Sequence, residues 1–266
     1  MKIKQFALPA LIALALTLYH LALYGNFTIE GSLLNYISNF FIVGLLTVFL
    51  LNSYLKGWTR FLALFVIAYV FGSMNNLLEA YLFGVTDLSG TIRLLFINLG
   101  FGLLVSFSLF YFFNDASQSR QPRPAFKFRS IFQWAWRIIT ADVLYTFLYV
   151  LAGFTLVTVF PQLMDFYEGK IPDGILVLKV QLCLRGFVFT GTALLITQTT
   201  NLPKIKTALL TGLMLSFIGG IAPLMNVNEF MPFFVRMGHL FEVGISNFIF
   251  GFLASLLMNT KWREET

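Results

Sequence analysis

The chain has 266 residues, of which 58% are hydrophobic and 11% charged, and its 18 lysines and arginines outnumber 12 acids for a net charge of +6. A soluble domain carries about 25% charged residues. This chain cannot cover a water-facing surface, and a mean hydropathy of +0.80 makes lipid its solvent. The excess positive charge argues for no nucleic-acid partner, because the cations sit mostly in short loops between apolar runs, where they orient a protein in a bilayer.

Apolar runs of about 20 residues suffice to cross a bilayer as helices. Eight are expected, over 6–24, 34–55, 58–83, 92–114, 138–160, 175–199, 207–225 and 233–257. The runs are continuous rather than alternating, which excludes barrel strands and predicts an all-α polytopic membrane bundle. Lys2 and Lys4 precede the first run. No small-residue cleavage pattern follows it before Asn26, so it is read as a retained first span rather than a signal peptide.

Lys56, Arg60, Arg120, Lys127, Lys204 and Lys206 fall on one set of span ends, and Glu30, Asp87, Asp165, Glu168, Asp173 and Glu229 on the other. The positive-inside rule then predicts a bacterial inner-membrane protein with both termini cytoplasmic. The longest basic loop divides the chain into a four-span half over 1–114, a linker over 115–137 and a second four-span half over 138–266. Aromatic and basic residues alternate from Phe126 to Arg137, which predicts an interfacial anchor in that linker. Arg93 opens the fourth span much as Arg236 begins the eighth, and a four-span unit returns to its starting side, so a parallel repeat is a natural comparison. Ser216-Phe-Ile-Gly-Gly-Ile-Ala-Pro223 in the seventh span predicts a kink.

The chemistry concentrates at one level. In the eighth span Arg236, His239, Glu242, Ser246 and Asn247 fall within about 140° of one another on a helix. Charges at membrane depth cost several kcal/mol, roughly 2.5–3.5 even on the lenient insertion scales, so they mark sites or tight pairs. The third span adds Asn75, Asn76 and Glu79, the sixth adds Gln181 and Arg185, and His20 and Arg93 lie at similar depth. The candidate binding or proton-relay residues are therefore Arg236, His239, Glu242, Glu79, Arg185, Asn76, Asn247 and Gln181. Pairs such as Arg185–Glu79 and Arg236–Glu242 would equally serve to lock helix order.

The single cysteine, Cys183, excludes a disulfide framework, and with only two histidines no metal or other cofactor is expected. Cys183 lies about 160° from Arg185 around its helix, away from the polar side. Gly-rich phosphate loops, HExxH pairs and GxSxG elbows are absent from the sequence.

Met-Pro-x-x-x-Arg-x-x-His-x-x-Glu-x-x-x-Ser-Asn, from Met231 to Asn247, resembles the closing motif of an uncharacterised family of bacterial polytopic membrane proteins. Asn76-Leu-Leu-Glu79, Asp165-Phe-Tyr-Glu-Gly169 and Leu184-Arg185-Gly186 are similar to further parts of that pattern. The resemblance points to the same site residues and implies no activity.

Three functions fit these residues. The first is a transporter of a small molecule or ion, with proton coupling through Glu79, Glu242 and His239. The second is an intramembrane enzyme acting on a lipid or lipid-linked substrate. The third is a sensor or assembly subunit. The expected partners are the bilayer and a small molecule, ion or lipid. A transporter needs a polar path toward the basic face, for which Asn247, Thr192, Gln198 and Asp142 are available; an enzyme needs only a pocket on the acidic side with a lateral opening. Reporter fusions at Gln118 and Glu168 should report opposite compartments; the same compartment for both removes the eight-span topology.

Overall fold

The computed structural model describes residues 2–24, 28–113, 130–226 and 231–259. With no water in hydrocarbon, backbone N–H and C=O groups must be satisfied within each segment, and helices do this. The helices are α1 (Lys2–Tyr24), α2 (Ile29–Leu51), α3 (Trp58–Phe65), α4 (Asn75–Leu82), α5 (Leu88–Phe113) and α6 (Ile131–Val159). They continue with α7 (Leu163–Tyr167), α8 (Gly174–Val180), α9 (Gly186–Thr199), α10 (Lys204–Ser216), α11 (Ala222–Met225) and α12 (Phe233–Asn259). No strand occurs among the described residues.

Wider π-helical turns join α3 to α4 (Val66–Met74), α8 to α9 (Gln181–Arg185) and α10 to α11 (Phe217–Ile221), so each pair forms one continuous span. Among the described residues, seven helices are long and apolar enough to cross a membrane, and α1 contributes a shorter apolar stretch, Ala7–Leu23. The protein is an all-α polytopic bundle. The second span begins at Ile29 and stops at Leu51, where Asn52 turns its amide back on the Val48 carbonyl. Residues 115–129 of the expected interfacial anchor lie outside the described residues, and Ile131–Arg137 is the continuous first part of α6.

Helix starts follow ordinary capping. The Thr28, Ser130 and Asp173 side chains accept from the backbone amides of Gly31, Gln133, and Ile175 with Leu176, satisfying donors that the first turn leaves free. On the basic face the loop after α2 meets the loop after α9, where Ser53 and Thr200 form one bridge and Asn201 donates to the Asn52 carbonyl at 2.7 Å. Arg137, wholly buried, donates to the Leu257 carbonyl at 3.2 Å and ties the start of α6 to the end of α12.

Lipid is as apolar as leucine, so close packing rather than exclusion of water holds such helices together. Small residues set that packing here. A Cβ on Gly251 would stand 2.9 Å from the Gly212 Cα, so α10 and α12 cross almost backbone to backbone. Gly72 and Gly219 instead make room for side chains between two of the π-helical turns, since a Cβ on Gly72 would stand 2.8 Å from the Ile218 side chain and one on Gly219 would meet the Phe71 ring. The Ser216 hydroxyl donates to the Gly244 carbonyl at 2.6 Å. Toward the basic face the interior holds an apolar core that includes Leu46, Phe49, Ile67, Ile196, Met214 and Ala254.

Gly251→Val should force α10 and α12 apart. Overpacking of this kind costs about 1–3 kcal/mol, and a fall in the detergent melting temperature, with Gly44→Ala as the control in open space, checks it.

Candidate functional site

The side of the bundle opposite the basic face holds a cavity of about 1110 Å³. Every span contributes to its wall. Apolar side chains make up most of the surface, and polar groups collect in two places.

The first place is centred on Arg185, which sits at the end of the π-helical turn of the sixth span and is 4% exposed. Its Nε donates to Asn75 Oδ1 at 3.3 Å, and its Nη1 donates to the Glu79 carboxylate and to Gln181 Oε1 at 3.4 Å. Asn75 and Glu79 lie one turn apart on α4, so one guanidinium spans both. The rings of Tyr149 and Phe189 flank the cation at 5.8 Å. The charge is thus paired, hydrogen-bonded and faced by π-systems, which is what a cation at membrane depth requires.

The second feature lies beside it. His239 Nδ1 is 3.2 Å from Glu242 Oε2, one turn on along α12, and His239 Nε2 is 2.8 Å from the Tyr167 hydroxyl. A carboxylate only accepts, so His239 donates from Nδ1, and the neutral ring then accepts at Nε2 from the phenol. Burial, and after it the negative charges of Glu79 and Glu242, push the Tyr167 phenol above its ordinary value, so it keeps its proton and remains the donor. Tyr167 comes from the short helix α7, which is held by Leu163 packing with Leu156 and Val235.

Six of the eight candidate residues line the cavity, Glu79, Asn76, Arg185, His239, Glu242 and Asn247, and so do His20, Arg93 and Ser246. Gln181 stands behind Arg185, wholly buried. Arg236 leaves the group. Its Nη1 donates to the carbonyls of Asn226 at 2.8 Å and Leu224 at 3.4 Å, closing the end of α11. The reason is angular, since Arg236 and Glu242 are six residues and about 120° apart on one helix. No Arg236–Glu242 ion pair forms among the described residues. Asn76 donates to the carbonyls of Gly72 and Gly219, both at 3.1 Å, and so stitches two π-helical turns together.

Arg93 lines the cavity at its mouth, exposed, and makes no ion pair or hydrogen bond among the described residues. It is the available cation that Arg236 is not, and the two arginines hold unlike places. Tyr167, Tyr149, Asn35, Asn39 and Asn98 also line the cavity. Their only signal in the sequence is a polar or amphipathic residue within or beside an apolar run, shared with many structural positions. Cys183 is exposed, on the outside of the bundle.

Toward the basic face the cavity ends on aromatic rings. Tyr145 and Phe250 line it, with ring centroids 5.4 Å apart, and Phe189 stacks on Tyr145 at 4.3 Å and meets Phe71 at 4.8 Å. Thr192 is buried and donates to its own helix at the Val188 carbonyl. Asp142 is buried against Gly186, outside the cavity wall. The polar path toward the basic face therefore stops at Asn247. Sideways the wall is open. The packing of α6 on the sixth span runs along Gln181–Thr199. No residue of α8 is buried, and Phe154 of α6, though 73% exposed, lines the same cavity as Val177 and Leu178 of α8. The outer halves of α6 and α8 frame an apolar side opening.

No family model, curated protein or solved structure matches the chain.

Arg185→Leu leaves Glu79 as an uncompensated carboxylate, and loss of one member of a buried pair costs on the order of 3 kcal/mol. The double change Arg185→Leu with Glu79→Leu should recover much of the lost melting temperature; a double mutant no more stable than the single one removes the pairing argument.

Proposed function

We propose that the chain is an intramembrane enzyme that acts on the headgroup of a lipid or lipid-linked substrate, taken from the leaflet through the side opening between α6 and α8. One observation carries this reading: the Glu242–His239–Tyr167 chain stands in a cavity that opens sideways and is shut toward the basic face by aromatic rings. Acyl chains suit the apolar wall beside Phe154 and Val177. An anionic part of the headgroup suits Arg93, a cation with no competing carboxylate bonded to it.

Glu242 holds the His239 ring by Nδ1 and leaves Nε2 basic. His239 accepts a proton there from an attacking hydroxyl or water as it adds to the headgroup, and Glu242 stabilises the imidazolium that forms. Tyr167 gives its phenol proton to the leaving oxygen and takes back the proton held on His239 Nε2, so both groups end as they began. The charge of Arg185 is answered by Glu79, with Asn75 and Gln181 accepting beside it, so it supports the site.

The excess of cations on the opposite face supports a cytoplasmic setting for that face and an external one for the cavity. The resemblance of Met231–Asn247 to bacterial polytopic proteins extends the proposal to a bacterial inner membrane. A transporter is the second reading, favoured by the three π-helical turns that lie together in the bundle, two of them joined by Asn76. Such turns occur where helices carry function, and a change there is a means of opening the closed side.

An untargeted lipid comparison of cells with and without the gene should show one lipid class accumulating and a related class vanishing. A soluble solute changing instead favours transport. His239→Gln should lower turnover of that lipid by about 10²–10⁴-fold, the usual contribution of a general base, with the melting temperature near that of the parent. A stable His239→Gln protein with undiminished turnover removes His239 from the mechanism.

A further inference from the structure

Apart from the Arg185 and His239 groups, the cavity has a further polar wall on the side away from His239, and it differs in kind. Between α1, α2 and α5 the wall below Arg93 carries amides, hydroxyls and one imidazole and, among the described residues, no carboxylate or further cation. Asn39 donates to Thr17 Oγ1 at 3.0 Å and to Asn35 Oδ1 at 2.8 Å. Asn35 Nδ2 is 3.2 Å from His20 Nδ1, and it donates to Asn226 Oδ1 at the same distance. Ser73 donates to Asn98 Oδ1 at 3.3 Å across to α5. Asp87 and Arg93, the charged residues that α5 and the residue before it add to the wall, are exposed at the mouth.

Two cavity-lining side chains in this wall and beside it are left incomplete. Asn39 is wholly buried and its Oδ1 has no partner among the described residues; Asn247 is 6% exposed and its Nδ2 has none among them. An unpaired buried amide costs about 1–3 kcal/mol, so an occupant that supplies both a donor and an acceptor is favoured. An acyl chain supplies neither. A phosphate supplies acceptors only and brings a charge that no cation here answers. A hydroxyl group supplies both from one atom.

From this we infer that the region between α1, α2 and α5 is a binding site for an uncharged polyhydroxyl group, such as a hexose, and that the substrate carries one. The inference rests on the proposed reading of the cavity as a lipid-headgroup site and specifies the class of headgroup. The polyol would sit against Asn35, Asn39 and Asn98, with the reacting bond toward His239 and the acyl chains toward α6 and α8.

The full chain in phosphatidylcholine nanodiscs, each doped with one of three lipids of equal acyl chains, tests this by mass spectrometry of the lipid retained on detergent extraction. The three are glucosyl-diacylglycerol, diacylglycerol and phosphatidic acid. The glucosyl lipid should be retained about tenfold over diacylglycerol, the worth of one or two net hydrogen bonds. Asn39→Leu should bring that ratio close to one; if that variant melts early, Ser73→Ala should lower the ratio in a folded protein. Displacement of the glucosyl lipid by free glucose also supports the site and makes a soluble sugar its source, whereas resistance to glucose with retention makes the lipid the source. Phosphatidic acid retained while the glucosyl lipid stays level with diacylglycerol overturns the polyol site and leaves the lipid-headgroup reading standing. Retention of none of the three above phosphatidylcholine overturns both.

Discussion

Arg185 has to be answered by protein, because the hydrocarbon around the bundle offers a guanidinium nothing. The answer draws on much of the architecture. Gln181 comes from one turn back on the same span, Asn75 and Glu79 from the third span, and the flanking rings from α6 and α9. The partners on the third span belong to the first half of the chain and Arg185 to the second, so this cation joins the two. The cavity forms beside that junction, since Glu79, Tyr149 and Arg185 are all in its wall.

Close backbone approach holds the bundle below the cavity and polar contacts hold it beside the cavity. Where Gly212 faces Gly251, side chains are absent and helices touch directly. Where the third, sixth and seventh spans border the site, each widens into a π-helical turn, and carbonyls near those turns are taken by side chains such as Asn76. A π-turn inserts a residue into the helical repeat and redirects the helix beyond it. The aromatic floor of Phe71, Tyr145, Phe189 and Phe250 then separates the cavity from the apolar core. One-sidedness of this kind suits chemistry on a molecule that arrives from the lipid and leaves to it.

Much of the fold was legible in the order of residues, for a simple reason. A helix that crosses hydrocarbon advertises itself by length and composition alone, and span edges are off by a few residues where capping chemistry decides, as at Thr28 and Asn52. Most of the charged residues of the cavity wall were also marked in the sequence, because charge within an apolar run is costly and therefore rare. The helical angle brought His239 beside Glu242, but it was a coarse guide for Arg236, which shares a broad side of α12 with them and turns instead to the end of α11. Tyr167 was hidden, because no local pattern tells a short loop helix to fold back over His239.

The sequence by itself determined that this is a helical membrane bundle and which spans carry charge, since both depend on local hydropathy and the period of one helix. Only the tertiary structure decided which charges meet, that Arg236 caps a helix while Arg93 stands free at the mouth, and that the cavity opens between α6 and α8 and closes on aromatic rings. Those outcomes depend on how far neighbouring helices splay and on where a π-turn shifts their phase. Both are properties of packing between distant segments, and no single segment contains them.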